Sequence, residues 1–151
     1  MSDCYVSVRR ALLPLLASLL TGHVWAEMPR IDLSLGFYRV DAEVAANQAD
    51  RELGLMNRRA MAANRGMLLV FPAADRHCMW MRNTLIPLSV AFVDRDGRIL
   101  NIEEMQANTD DAHCASAPAT FALEMNQRWF SDKGFKVGTT IRGLDKTPAP
   151  R

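Results

Sequence analysis

The stretch from Met79 to Gly97 constrains the fold more than any other part of this chain. Within it, Leu88 to Asp94 alternates large apolar side chains with smaller ones, and this period of two residues predicts a β-strand. Asp96-Gly97 follows, and this pair favours a tight hairpin turn because both residue types accept a left-handed backbone. We therefore expect an antiparallel hairpin that returns through Arg98 to Met105.

The rest of the chain offers more short apolar runs separated by turn residues. The return strand of the hairpin places Leu100 and Ile102 on one face. The other expected strands are Leu33–Val40, Gly66–Phe71, His77–Arg82, Thr120–Met125 and Thr140–Arg142, with a turn at Pro72–Asp75. A parallel α/β sheet would need longer helices between its strands. The pattern predicts a mostly-β barrel or sandwich with two short helices.

Both expected helices begin at an asparagine. The first covers Asn47–Arg59, because Asn47 is a good N-cap residue and apolar residues such as Leu53 recur at helical spacing to give one apolar face. The second covers Asn126–Lys133, and Gly134 suits the position just after its end. Both helices are too short to be stable without packing against the sheet.

The N-terminus is typical of an export signal. Arg9-Arg10 precedes the apolar run Ala11–Leu20, and Val24-Trp25-Ala26 fits a cleavage site. A membrane span takes about 20 apolar residues, so we expect cleavage after Ala26 and a periplasmic or secreted protein with no stable membrane span. An uncleaved anchor and twin-arginine export are the alternatives. The expected division is a signal peptide at 1–26, a leader at 27–32, a β domain at 33–143 and a flexible tail at 144–151.

The balance of basic and acidic residues limits the classes of partner that the chain can bind. Cleavage removes two of the 18 basic and one of the 17 acidic residues, so 16 of each remain. The chain has no excess of basic residues that would favour binding to nucleic acid, and no basic amphipathic run that would favour binding to a membrane surface.

Cys4 leaves with the signal, whereas Cys78 and Cys114 remain, and in an oxidising compartment they most simply form one disulfide. Two free thiols are the alternative.

Several ordered motifs resemble one family. They are Gly54-Leu55-Met56, Arg65-Gly66-Met67-Leu68, the run from Trp80 to Leu88, Ala122-Leu123-Glu124-Met125-Asn126, and Val137-Gly138. Together they resemble DUF192, a family of unknown function, from about Leu33 to Arg142. The resemblance implies a small jelly-roll-like fold, often exported, with no established activity and no catalytic residue to transfer. Arg82 stands where family members often have lysine. Cys78-Met79 stands where many members have Ser-Phe or similar residues, so the disulfide would be a feature of a subgroup of the family.

One group of residues forms the candidate binding site. Glu124 lies in an otherwise apolar strand, where an unpaired carboxylate is costly, and the planar fork of Arg82 suits it as a partner. Trp80 offers a stacking wall for a sugar or another ring. The candidate binding residues are Trp80, Arg82, Asn83, Thr84, Glu124 and Asn126. A structural ion pair between Arg82 and Glu124, and a Trp80 that only packs, are the alternatives.

The best functional interpretation is an exported, non-catalytic binding or accessory module with a polar pocket near Arg82 and Glu124. One alternative is a small hydrolase or carbohydrate-active enzyme that uses Glu124, with Asp94 as a second acid. Another is a periplasmic Cu(I)-binding protein that uses thioethers such as Met79 and Met81. No motif calls for a resident cofactor or metal site. We expect a monomer whose partner is a small molecule or another protein.

Overall fold

A computed structural model describes residues 28–151, so the expected signal peptide lies outside the described residues. Its strands are β1 Arg30–Leu35, β2 Tyr38–Ala45, β3 Arg65–Asp75, β4 Cys78–Met79, β5 Leu88–Val93, β6 Ile99–Met105, β7 His113–Cys114 and β8 Ala119–Asn126. Two short helices, α1 Gln48–Leu53 and α2 Trp129–Asp132, and a 3-10 turn at Leu144–Lys146 complete the secondary structure. The fold is mostly β, as predicted. Within 28–151 every helix is too short to cross a bilayer.

Six strands form one mixed sheet in the order β1-β2-β3-β8-β5-β6, and β4 pairs with β7 in a separate small sheet. All neighbouring pairs in the large sheet are antiparallel except β2 and β3, which run parallel and are joined through α1. The large sheet is not closed into a barrel, so the sandwich-like alternative fits better. The predicted hairpin is confirmed as β5 and β6, joined through Gly97 at φ 82°.

The central strands of the large sheet are buried on both faces. Face A is the core that contains Leu68, Leu123 and Phe130. Face B is the core that contains Met67 and Phe92. All six residues of β5 are buried, because this strand lies between β8 and β6 and both of its faces are covered. Adjacent residues of the central strands therefore serve opposite cores.

The first predicted strand is wrong, because Leu33–Val40 is a hairpin. Gly36 turns the chain at φ 54° between β1 and β2, whose register pairs Leu35 with Tyr38. The apolar Phe37 occupies this turn, so hydropathy does not mark the break. The predicted turn at Pro72–Asp75 is also wrong, since β3 continues to Asp75 through an irregularity in its pairing with β8. Such irregular positions tolerate proline in a strand.

Three other strand predictions change in detail. Only Cys78–Met79 of the expected strand His77–Arg82 pairs as a strand, and Thr140–Arg142 makes isolated bridges to Arg98 and Ser34. A register shift in β5–β6 puts Leu100 against face B and Ile102 against face A, not on one face. A bulge adds one residue to a strand, and no hydropathy pattern marks it.

The helices begin and end differently from the prediction. The side chain of Asn47 accepts a hydrogen bond from the Asp50 amide at 2.9 Å, which confirms this N-cap, but α1 ends at Leu53 because Gly54 takes φ 48°. No residue of α1 is buried, so the expected apolar face is wrong. The second helix starts at Trp129, not at Asn126, which ends β8.

The end of α2 and the tail are well connected. Gly134 follows α2 at φ 72°, and the amides of Gly134 and Phe135 donate to Ser131 and Phe130, a Schellman motif that confirms the position of this glycine. In the tail, Leu144 is buried and the Arg151 amide donates to the Ala46 carbonyl at 2.7 Å. The flexibility of 144–151 stays a prediction, but these contacts were not expected.

Candidate functional site

Trp80 and Arg82 lie on the surface beside the small sheet. Trp80 is 55% exposed, and the guanidinium of Arg82 lies 5.1 Å from the centre of its ring. Arg82 Nε donates to Asp110 Oδ1 at 2.8 Å, and both side chains of this pair are exposed. The predicted pairing of Arg82 with Glu124 is therefore wrong. Met81 is fully buried between the exposed Trp80 and Arg82, as alternation along the expected strand His77–Arg82 would place them.

Asn83 and Thr84 shape the corner that follows. Asn83 takes φ 57°, a left-handed conformation that asparagine tolerates better than most residues. Its carbonyl accepts a hydrogen bond from the Asn57 amide at 2.8 Å, and the buried Thr84 accepts one from the Asn108 amide through its carbonyl at 3.0 Å. The backbone of this corner thus ties two loops together. The segment 54–64, which we name the cover segment, is one of them.

Glu124 is the most unusual residue in the core. It is 4% exposed, and its register partners are Met67 of β3 and Val90 of β5, both of which belong to face B. Within residues 28–151 its Oε2 has no hydrogen-bond partner. Burial raises the pKa of Glu124 to about 7, against the opposing positive charge of Arg58. The carboxyl is therefore able to hold or release a proton near neutral pH.

Asn126 anchors the cover segment to the end of β8. Its side-chain amide donates to the carbonyls of Met61 at 3.0 Å and Ala62 at 3.3 Å. Gly66, the second residue of β3 after the cover segment, packs so closely on β8 that an added Cβ would lie 2.6 Å from the Glu124 carbonyl oxygen. The predicted residues on β8 thus lie at the edge of the cover segment, apart from the exposed Trp80–Arg82 corner.

An ionic network that the sequence did not reveal borders the same segment. The Arg58 guanidinium donates two hydrogen bonds to the Glu43 carboxylate, and Arg30 reaches Glu43 at 3.2 Å and Asp41 at 2.8 Å. The bonds from Arg58 hold the pKa of Glu43 below its usual value. A cleft of about 280 Å³ opens here, lined by Glu43, Arg58, Ala60, Met61, Ala62 and Arg65. The feature of the sequence that could have indicated this network is the acidic Glu43, which lies between buried neighbours in β2.

A second cleft, of about 300 Å³, lies between α1, β3 and β4. Trp80 and the stacked pair Phe71–His77, whose ring centres are 3.7 Å apart, contribute its aromatic wall. Its remaining lining residues are Gln48, Arg51, Glu52, Leu69, Pro72, Cys78 and Met79. Arg51 already donates to the carbonyls of Ala46 and Val70. The available surface of this Trp80 cleft is therefore mainly apolar and aromatic.

The predicted disulfide is confirmed. Cys78 and Cys114 face each other in the register of β4 and β7 and are joined by a sulfur–sulfur bond across a separation of 36 residues. Both are exposed, and they tie the loop before β8 to the wall of the Trp80 cleft. The disulfide is compatible with an extracellular location.

The groups proposed for other chemistries are spread apart. Met81 is fully buried in face B and Met79 packs against that core, so these thioethers act as packing groups in this conformation. Asp94 follows the end of β5, four residues beyond Val90, which is the register partner of Glu124. At about 3.3 Å per residue the backbone of Asp94 lies roughly 13 Å along the strand from that of Val90, so the register does not place Asp94 beside Glu124 as the paired acids of glycosidases are placed. Among the described residues no cluster of three metal-ligating side chains occurs.

Comparisons with known proteins agree with this architecture. The model of the family DUF192, described as an uncharacterised ACR, matches residues 31–143. A protein of unknown function from Novosphingobium aromaticivorans DSM 12444 is 27% identical, with a TM-score of 0.74 over 80% of this chain and 89% of that one. A candidate transcription regulator from Sinorhizobium meliloti 1021 is 31% identical, with a TM-score of 0.71 over 76% of this chain and 92% of that one. No curated protein matches.

Proposed function

The chain belongs to the DUF192 family, and from this premise we propose that it is an exported, non-catalytic binding module that takes a small ring-bearing ligand in the Trp80 cleft. The observation that carries the proposal is the half-exposed indole of Trp80 at the wall of a cleft of about 300 Å³. This volume is at the lower end of ligand pockets, and it suits a single ring or a monosaccharide. An exposed indole gains stacking area when such a ring binds.

The polar groups around the Trp80 cleft favour a ligand with little charge. Glu52 accepts a hydrogen bond from Gln48 at 2.8 Å, and Arg51 is held by backbone carbonyls. Because these groups are already satisfied, a ligand would gain mainly by stacking and apolar contact. Arg82 over Trp80 supports the indole from the neighbouring surface.

The lining of the cleft also supports binding without turnover. Its one sulfur nucleophile, Cys78, is in the disulfide, and the His77 ring is stacked on Phe71 with Nε2 2.9 Å from the Ala73 carbonyl oxygen. Nucleophilic catalysis needs a free nucleophile next to a free base. The name of the relative from Sinorhizobium meliloti suggests DNA, but the balanced charge of residues 27–151 does not favour a phosphate backbone.

The test is native mass spectrometry of the protein purified from its own cells, followed by NMR titration with methyl glucoside and with benzamide as uncharged probes. We expect an organic adduct or shifts of the backbone amide signals of Leu69 and Met79, which line the cleft, and we expect both to be lost in Trp80→Ala. Leu85→Ala, another exposed apolar residue of the same segment, is the matched control and should retain binding. Binding that persists in Trp80→Ala would place the ligand elsewhere.

The buried carboxyl of Glu124 favours a second candidate, an enzyme that uses this group as a general acid or base. A pKa near 7 suits such a role. The test is hydrolysis of nitrophenyl glycosides and esters by the wild type and by Glu124→Gln. Turnover that follows the ionisation of one group near pH 7 and disappears in Glu124→Gln supports the enzyme, whereas equal rates for both proteins contradict it.

A further inference from the structure

The tip of the β1–β2 hairpin carries a fully exposed aromatic side chain. Phe37 is 105% exposed, and the neighbouring Tyr38 is 46% exposed. The turn is supported from below, because a Cβ on Gly36 would lie 3.7 Å from the Phe135 ring. Single exposed apolar residues are common on protein surfaces, so the exposure of Phe37 alone does not indicate a binding surface. The basic residues around Phe37 do distinguish this surface.

Three basic side chains share the surface next to Phe37. Ser34 of β1 pairs with Arg39 of β2, and on its other side it exchanges backbone hydrogen bonds with Arg142 at 2.9 and 3.1 Å. Leu33 and Leu35 point into face A, so Ser34 and the residues level with it point outward. A groove of about 550 Å³ beside them is lined by Phe37, Arg39, Arg142 and Lys146, among others.

Lysines continue this basic surface on the other side of the hairpin. The Lys133 ammonium lies 5.3 Å from the ring centre of Tyr38 and 4.9 Å from that of Trp129, and Lys136 follows three residues later. Across the part of the chain that the structure covers, none of these five basic residues forms an ion pair. Asp32 and Asp145 also line the groove, so the groove itself holds three cations and two anions, and Lys133 and Lys136 add two cations beside it.

We propose that this end of the molecule docks on a bilayer rich in anionic phospholipids. Phe37 enters the acyl boundary, Tyr38 lies at headgroup level, and Arg39 and Arg142 hold lipid phosphates. A protruding aromatic residue within a ring of cations matches the layered chemistry of a membrane interface. A stable protein interface buries about 800 Å² on each side and has a broad apolar centre, which one hairpin tip does not offer. The cations come from separate segments, so the sequence shows no basic run.

The test is flotation with vesicles, using protein whose N-terminus is as the cell leaves it. We expect binding to vesicles of phosphatidylglycerol and phosphatidylethanolamine, and weak binding to phosphatidylcholine alone. Phe37→Ser should weaken the binding about tenfold or more, because a buried phenyl ring contributes at least that factor. The double substitution Arg39→Gln and Arg142→Gln should weaken binding and reduce its dependence on salt.

Leu53→Ser is the matched control, since Leu53 is also exposed but lies on α1, at the other end of β2 from Phe37. It should bind like the wild type. Equal loss in both serine variants, or equal binding to anionic and neutral vesicles, would overturn the proposal. So would a dimer in analytical ultracentrifugation that Phe37→Ser abolishes, or saturable binding of inorganic phosphate at Arg39 and Arg142 without vesicle binding.

Discussion

Met67 and Glu124 are register partners in β3 and β8, so a carboxyl group occupies the middle of an apolar sheet face. Burial raises the pKa of Glu124 to about 7 from an ordinary value of 4.5. The folded chain therefore holds this proton at pH values where the unfolded chain has released it. The stability that this group contributes is complete below pH 4.5 and is lost as the pH rises to about 7.

Glu124→Gln should flatten this part of the pH profile. The amide keeps the shape of the side chain and cannot ionise, so above pH 7 we expect the variant to be more stable than the wild type by up to about 3 kcal/mol. The measurement is the free energy of unfolding in denaturant between pH 5 and pH 8. Asp111→Asn, an exposed acid in a loop, is the control and should leave the profile unchanged. A wild type that is equally stable at both ends of the range would contradict the assignment.

Arg58, and not Arg82, should control the ionisation of Glu124. Arg58 is the cation whose charge lowers the pKa of Glu124, whereas Arg82 pairs with Asp110 on the surface. We expect Arg58→Met to raise the pKa of Glu124 further, and Arg82→Met to leave it unchanged. An NMR titration of the side-chain carboxyl carbon measures both. The reverse order of effects would restore the pairing of Arg82 with Glu124 that the sequence suggests.

The contrast between these two arginines shows what the sequence was able to predict. The hairpin of β5 and β6 and the isolation of Glu124 in an apolar strand follow from local pattern, and the disulfide follows from the two cysteines that remain after the expected cleavage. The charged group that lies near Arg82 or Glu124 does not follow from local pattern. Asp110 and Arg58 reach their positions through loops, and the paths of these loops depend on backbone details such as the left-handed Asn83. The hairpin turn at Gly36 was missed for a similar reason, since the apolar Phe37 continues the hydropathy of its flanking strands.

Removal of the disulfide should destabilise the folded chain without changing its sheet. Closing 36 positions lowers the entropy of the unfolded state by an amount equivalent to about 3–4 kcal/mol. We expect the double variant Cys78→Ser and Cys114→Ser to lose up to this amount in denaturant unfolding. Reductant should destabilise the wild type to a similar degree and leave the double variant unaffected. If reductant leaves the wild type unaffected as well, the cysteines are free thiols in the purified protein.

Asn126 should be a structural anchor, because its side-chain amide donates to two backbone carbonyls of the cover segment. Asn126→Ala removes these donors, and we expect a loss of about 1 kcal/mol. Asn126→Asp should cost more at neutral pH, since a carboxylate would face the oxygens of Met61 and Ala62, and its extra cost should shrink once the acid is protonated. Denaturant unfolding at neutral and acidic pH measures this difference, with Gln106→Glu as an exposed amide-to-acid control. If Asn126→Asp matches that control in stability, the amide is not an anchor and is free to contact a ligand.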